Sequence, residues 1–197
     1  RAKKGQGQVV GIVGGPGVGK SRLLLHFRAM LPQREHTYLE GRCLHYGGST
    51  AFLPFLDVLR SYFDIREDEK EHIIKKKMAA QVSNLDEKLK DFLPPLEDIF
   101  SLKVEDESYL KLEPAFRRAR IIDSIKNLLV RESQNSPLVL AIADLHWIDN
   151  SSEEFLGYLI DGLASTHILL LILYRPEYTH QWGSKTYYTQ IRVDELS

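Results

Sequence analysis

Residues Gly14-Gly15-Pro16-Gly17-Val18-Gly19-Lys20-Ser21 spell G-x-x-x-x-G-K-[ST], the pattern of a loop that cradles phosphate groups. An apolar run, Val9 to Val13, leads into it, and a helix-forming stretch, Ser21 to Leu31, leads out. That strand–loop–helix setting gives the pattern a mechanism. Glycines let the backbone curl until successive N–H groups face one anion. A helix starting near Lys20 aims its positive dipole end at the same point. In such a loop Lys20 reaches the β- and γ-phosphates, and the Ser21 hydroxyl is placed to hold Mg²⁺.

The rest of the chain reads as alternating strands and helices. Ser21–Leu31 is amphipathic, with Leu23, Leu24, Phe27, Met30 and Leu31 expected on one side, and Pro32 closes it. Thr37–Glu40 reads as a second strand running into Gly41-Arg42-Cys43. Gly47-Gly48-Ser49 reads as a loop, and Pro54–Phe63 opens a helical stretch. From about residue 64 to 132 the chain is charged and helical in period. There Leu85–Leu93 is amphipathic, Pro94-Pro95 interrupts, and Pro114–Arg131 forms a long helix with Phe116, Ile121, Ile122, Ile125, Leu128 and Leu129 facing inward. Lys75-Lys76-Lys77 reads as a solvated helix face rather than a nucleic-acid patch, because acids flank it. Leu138–Ala143 and Ile168–Tyr174 are continuous apolar runs of the kind buried on both faces of a parallel sheet. Ser151 with Glu154 fits a capping box for a helix to about Leu163, and Tyr187–Val193 reads as a fifth strand. The expectation is an α/β fold with a parallel sheet and helices on both faces.

Composition narrows the setting. At 197 residues and 43% apolar, the chain is long and hydrophobic enough for a globular α/β domain. Its net charge of −1 points to no general attraction to nucleic acid or anionic membranes. A single cysteine, Cys43, rules out an intrachain disulfide and reads as a small buried residue in a reducing, cytoplasmic protein. No signal peptide is recognisable, and the apolar run Ile168–Tyr174 is too short to span a bilayer.

A phosphate-binding loop needs an acid at the end of a second strand, for Mg²⁺ or for the attacking water. Asp144, directly after Leu138–Ala143, is the acid so placed. If it is the metal acid, the following position is Leu145. If it orients water, the preceding position is Ala143. Either way one of two adjacent acids is absent, and hydrolysis should be slow. Asp149 reads better as a helix cap or turn residue. Arg175 ends the Ile168–Tyr174 strand, where loops face the ligand. It is either a γ-phosphate sensor or a surface arginine. Trp147 reads as packing more readily than base stacking. His146 either polarises water, reports the nucleotide state or makes an orienting hydrogen bond.

Taken together, Gly14 to Leu23, Glu40 to Gly47, Pro54-Phe55-Leu56, Pro137 to Leu140, Asp144-Leu145-His146-Trp147-Ile148-Asp149 and Tyr174-Arg175-Pro176-Glu177 resemble the STAND class of signal-transduction P-loop ATPases, within the AAA+/NACHT-like group. The likeness is to the ATPase module found beside class III nucleotide cyclases, some protein kinases and LuxR-type regulators. It implies a three-layer P-loop fold with sheet order 5-1-4-3-2 and a helical insertion before the Walker B strand. It implies an ATP-driven switch with Mg²⁺. The phosphate-binding set then runs from Gly14, Gly15, Pro16, Gly17, Val18, Gly19 and Lys20 through Ser21 to Arg22, with Ser21 and Asp144 at the metal. Lys20, Asp144 and Arg175 are implied to act on the γ-phosphate. An acid usually precedes the residue matching Asp144, where this chain has Ala143. A helical lid and winged-helix region do not fit within residues 1–197. The expectation is therefore one P-loop core of a larger regulator, joined to effector or sensor domains and open to nucleotide-dependent self-association. Two other readings stand beside it: a nucleotide-binding module without turnover, and a small-molecule or nucleotide kinase. The kinase reading is disfavoured by the roughly 120 residues between Lys20 and Asp144 and by the lack of an arginine-rich lid.

Overall fold

The computed structural model describes residues 1–32, 35–45 and 50–194. They form two compact units, one built from Arg1–Val58 and Ser136–Ser197, the other from Leu59–Asn135. The expected Gly47–Ser49 loop lies outside the described residues.

The first unit is built on five parallel strands: β1 (Gln8–Val13), β2 (Thr37–Arg42), β3 (Leu138–Ala143), β4 (Ile168–Tyr174) and β5 (Tyr188–Arg192). Their order across the sheet is β2-β3-β4-β1-β5, the expected 5-1-4-3-2 read from the other edge. All six β3 residues are buried, as a run without alternation requires when both faces are covered. The second strand extends past the expected Glu40 to Arg42, because the ladder with β3 continues as far as Arg42 opposite Ala143.

Helix α1 (Lys20–Met30) covers one face. Its Leu24 is buried in a cluster with Ile12, Val139, Ala141, Leu171 and Leu173, and Phe27 and Leu31 pack against it. The expected inward stripe was too wide. Leu23 is 40% exposed and Met30 71%, since only Leu24, Phe27 and Leu31 recur at the spacing of one helix face. Helix α2 (Leu53–Tyr62) brings Phe55 edge to face with Phe155, ring centroids 4.5 Å apart.

The second unit is helical among the described residues: α3 (Glu71–Leu85), α4 (Leu93–Ile99), α5 (Glu107–Leu110) and α6 (Pro114–Asn135). Three expectations change here. Leu85–Leu93 is largely a 3-10 stretch, Glu87–Phe92, capped by Asp86 accepting from the Lys88 N–H. Pro94 and Pro95 do not interrupt a helix. They stand in the first turn of α4, where an N–H has no intrahelical partner to lose. In α6, Ile122, Ile125, Leu128 and Leu129 are buried but Phe116 is 64% exposed, because it sits in the first turn, ahead of the packed stripe. Of the lysine run, Lys75 pairs with Glu97 at 3.4 Å and Lys77 with Glu69 at 2.7 Å. The cations are thus answered by acids, as the flanking sequence suggests.

Helix α7 (Asn150–Asp161) completes the set. Its cap is Asp149, as the reading of that residue as a cap expects, and not the Ser151 of the capping-box pattern. The Asp149 carboxylate accepts from the Ser152 N–H at 2.9 Å and the Ser152 hydroxyl at 2.5 Å. It also accepts from the Phe52 N–H at 3.3 Å. Asp149 lies three residues before Ser152, the span that an N-cap side chain bridges.

Between β4 and β5 lies a cluster hidden from sequence reading. The hydroxyls of Tyr174 and Tyr188 approach to 2.6 Å, and His180 Nε2 lies 2.9 Å from one and 3.0 Å from the other. Beneath them Gly11 leaves the space the rings occupy, since a Cβ there would come within 2.2 Å of the Tyr188 hydroxyl and force it to shift. Trp182 stacks on the His180 ring at 5.1 Å. Burial holds His180 below the usual histidine range, so the folded state resists the proton that the unfolded chain accepts. Stability from this source is intact above the unfolded histidine value, about 6.5, and is lost as pH falls below it. The melting temperature should therefore drop between pH 7.5 and 5.5, and less steeply in His180→Gln. An unchanged slope in that variant would remove His180 from the account.

Candidate functional site

In a parallel sheet every strand ends on the same side, so neighbouring strands deliver their outgoing loops to one edge. Strands β3, β4 and β1 are neighbours. The loop after β1 is Gly14–Gly19, the residue after β3 is Asp144, and the residue after β4 is Arg175. Three segments far apart in sequence therefore meet, and Pro16, Gly17, Gly19, Lys20, Ser21, Arg22, Asp144 and Arg175 line one cleft of about 340 Å³.

The loop has the backbone that the motif calls for. Gly17 has φ +79° and Gly19 φ +98°, left-handed values that a side chain would strain. Gly19 caps α1 without any side-chain hydrogen bond, so the first-turn N–H groups are left to an anion. The Lys20 ammonium donates to the carbonyls of Gly14 and Gly15 at 2.8 and 2.7 Å, which holds it folded back over the loop. Burial lowers its proton affinity, Asp144 opposes that, and Arg175 adds to it. Of the remaining expected phosphate contacts, Val18 packs beside Gly14 and Gly15 rather than lining the cleft.

Asp144 has φ +58°, which turns the chain sharply out of β3. Its carboxylate lies 3.6 Å from Arg42 Nε. Both groups are partly exposed, so the pair contributes about 1 kcal/mol at most. Arg42 lies in the Glu40–Gly47 stretch that carries part of the resemblance, but no role is read for it there, and the register of β2 on β3 brings it here. The Arg175 guanidinium lies 5.2 Å over the Trp147 ring and 3.9 Å from Glu177 Oε1. Trp147 is thus packed as a platform for the arginine, with His45 at 5.3 Å and His146 at 4.6 Å against it. Burial, then Arg175, hold His146 below the usual histidine range, against the pull of Asp144. Cys43 is buried, and its thiol is pushed up to about 12, chiefly by burial, which leaves it protonated and unreactive.

Among the described residues no three His, Cys, Asp or Glu side chains converge to hold a metal. Ser21 and Asp144 nevertheless offer hard oxygen donors on the cleft wall. Such a pair suits Mg²⁺, which keeps several waters and takes its other ligands from phosphates. A magnesium ion here would neutralise phosphate charge, and the residues to hold it are Ser21 and Asp144.

A larger groove of about 740 Å³ runs along α7 and residues 179–182. Its carboxylates are engaged, Glu153 by Tyr178 at 2.6 Å and Asp161 by Lys185 at 2.8 Å. The first turn of α7 borders it, but that end is already capped by the Asp149 carboxylate, and neither a glycine loop nor a lysine lines the groove. The smaller cleft is the one with phosphate chemistry.

A parallel α/β sheet with a glycine loop feeding a helix N-terminus, a lysine and a following serine defines a P-loop nucleotide-binding fold. The AAA ATPase domain family matches residues 1–172, and the chain belongs to that family. An uncharacterized protein of Rhizobium meliloti (strain 1021) is 30% identical over 181 residues. The match covers 90% of this chain but 17% of that protein's length. Among the described residues no helix is long and apolar enough to cross a membrane.

Proposed function

We infer that this chain is an ATP-binding switch domain that hydrolyses ATP slowly and signals to other parts of a larger protein. The observation that carries the reading is the cleft itself. Lys20, Ser21, Asp144 and Arg175 line it together, yet the strand that delivers Asp144 ends in Ala143. Binding groups are present in full, whereas the pair of adjacent acids that supports rapid turnover is reduced to one. A switch needs different contacts with and without the γ-phosphate. Arg175 suits that task, because it rests on Trp147 and on a long contact to exposed Glu177, neither of which holds it tightly.

In this reading Lys20 and the N-terminal N–H groups of α1 bind the β- and γ-phosphates. Ser21 and Asp144 hold Mg²⁺, and Arg175 reads the terminal phosphate. The resemblance to STAND ATPases supports ATP as the nucleotide, a signalling role, linked effector or sensor domains, and nucleotide-dependent self-association. The short share of the long relative that this chain matches fits a module within a larger polypeptide. The single buried cysteine fits a reducing, cytoplasmic setting. Ala143 also favours a second reading, a nucleotide-binding module with no turnover at all.

Calorimetric titration with ATP and ADP, each with and without Mg²⁺, followed by a phosphate-release assay, separates these. ATP binding with slow release supports the switch, binding without release supports the second reading, and absence of binding refutes both. Arg175→Ala should weaken ATP by roughly 10-fold, the worth of one charged hydrogen bond, and leave ADP nearly unchanged. Equal losses for both nucleotides would make Arg175 structural.

A further inference from the structure

Helix α7 has two unlike faces. Ser152, Phe155, Leu156, Leu159 and Ile160 are buried. The opposite face carries Glu153, Glu154, Gly157, Tyr158 and Asp161, and with Trp182 and its neighbours it lines the groove of about 740 Å³. Charge decides what kind of occupant suits that groove. Three carboxylates line it, and among the described residues no lysine or arginine does. Tyr178 and Lys185 take one oxygen each, Oε1 of Glu153 and Oδ1 of Asp161. An ionised carboxylate has two oxygens and about four acceptor sites, and Asp161 is 65% exposed. Tyr158, 41% exposed, adds an aromatic ring of the kind that attracts a cation to its face. Carboxylates beside an aromatic ring suit lysine and arginine side chains.

Gly157 is an independent mark of an occupant. It is the one glycine inside an α-helix among the described residues, and glycine there is less favourable than alanine. The backbone does not call for it, since the described glycines with positive φ are Gly5, Gly17 and Gly19. Packing does not call for it either. A Cβ at this position would meet Trp182 Nε1 at 3.8 Å, an ordinary van der Waals contact. What the missing side chain does is leave the floor of the groove open to close approach from outside the chain. The spacing of the acids sets a length. Glu154 and Asp161 stand two turns apart on α7, about 11 Å along the axis, which about three residues of extended chain span.

We propose that this groove docks a basic, extended peptide segment with arginines or lysines three residues apart. One cation meets Glu153 and Glu154, the next meets Asp161, and the peptide backbone between them passes over Gly157. The site is separate from the phosphate cleft and does not depend on the reading of that cleft.

The test is fluorescence anisotropy with dye-labelled acetyl-Arg-Ala-Ala-Arg-Ala-amide, on the wild-type chain, Gly157→Leu and a Glu154→Gln/Asp161→Asn double variant, with a thermal melt of each. The wild-type chain should bind saturably, and the same peptide with glutamate for arginine should not bind. Gly157→Leu should weaken binding by at least about 10-fold and melt no lower than wild type, because its side chain fills the groove and not the core. The double variant should lose about 10-fold as well, the worth of one charged hydrogen bond. Gly157→Ala should melt about 2–4 °C higher; a lower melting temperature would show that packing needs the glycine and would overturn the argument built on it. Absence of binding to the wild-type chain overturns the proposal. Wild-type affinity in Gly157→Leu overturns it too, since the peptide would then be held by acidic surface elsewhere. Equal affinity for spermidine would assign the groove to a small polyamine instead. A dimer in sedimentation that Gly157→Leu abolishes would assign it to a second copy of the chain.

Discussion

Lys20→Ala should lower ATP affinity by about 100-fold, equivalent to roughly 3 kcal/mol, the upper end for a hydrogen bond to a charged group. The same variant should melt close to wild type. The two halves of this expectation have different causes. The ammonium is the positive side chain that the loop itself directs into the cleft, and phosphate carries full charge, so its removal weakens attraction directly. Among the described residues the hydrogen bonds of the ammonium go to the carbonyls of Gly14 and Gly15. Both lie beside an open cleft, where water replaces the lysine at little cost. Calorimetry and a thermal melt on one sample check both parts. Unchanged ATP affinity would refute the phosphate-loop assignment. A large drop in melting temperature would show that Lys20 holds the loop together.

Ala143→Asp should raise turnover and cost stability. The side chain at 143 is 2% exposed. Strand residues two apart share a face, so position 143 lies with Val139 and Ala141, which pack with Leu24 of α1. A carboxylate added here faces the side of the sheet where α1 begins with Lys20 and Ser21. That is where a metal held by Ser21 would gain a second carboxylate. With Mg²⁺ and ATP, phosphate release should rise by about 10- to 100-fold. Without them the new carboxylate is buried and unpaired. The variant should lose about 1–3 kcal/mol and melt several degrees lower, at ~2–4 °C per kcal/mol for a chain of this size. Mg²⁺·ATP should return part of that loss. Phosphate release indistinguishable from wild type, with no change in Mg²⁺ requirement, would show that Ala143 does not stand in place of an acid.

Much of the fold was legible because strand signals are local. Leu138–Ala143 and Ile168–Tyr174 were read to the residue, since a doubly buried strand must be apolar throughout and polar residues mark its ends. Sheet order followed from the resemblance carried by the motifs. Helix faces were less legible. Leu23, Met30 and Phe116 are apolar yet exposed, and an apolar side chain costs little at a surface that is half apolar anyway. Periodicity alone could not tell which of them has a neighbour to pack against. The cap of α7 was legible only as two candidates, because Ser151 and Asp149 both satisfy a capping pattern. Only the backbone path shows that Asp149 reaches Ser152 and Phe52 together.

The amino-acid sequence by itself determined the phosphate loop, because its chemistry lies in eight consecutive residues whose glycines and lysine need only each other's backbone. It also determined that Ala143, not a second acid, stands immediately before Asp144, since that is a matter of adjacency. Tertiary structure alone decided what surrounds them. Pairing of β2 with β3 brings Arg42 to Asp144. The turn after β3 buries both nitrogens of His146, and the return of the chain after β4 closes His180 over two tyrosines. One of these contacts joins residues more than a hundred positions apart, and the others depend on how a short turn or a returning loop packs. No local pattern encodes them, because they exist only once the sheet has set the register that carries them together.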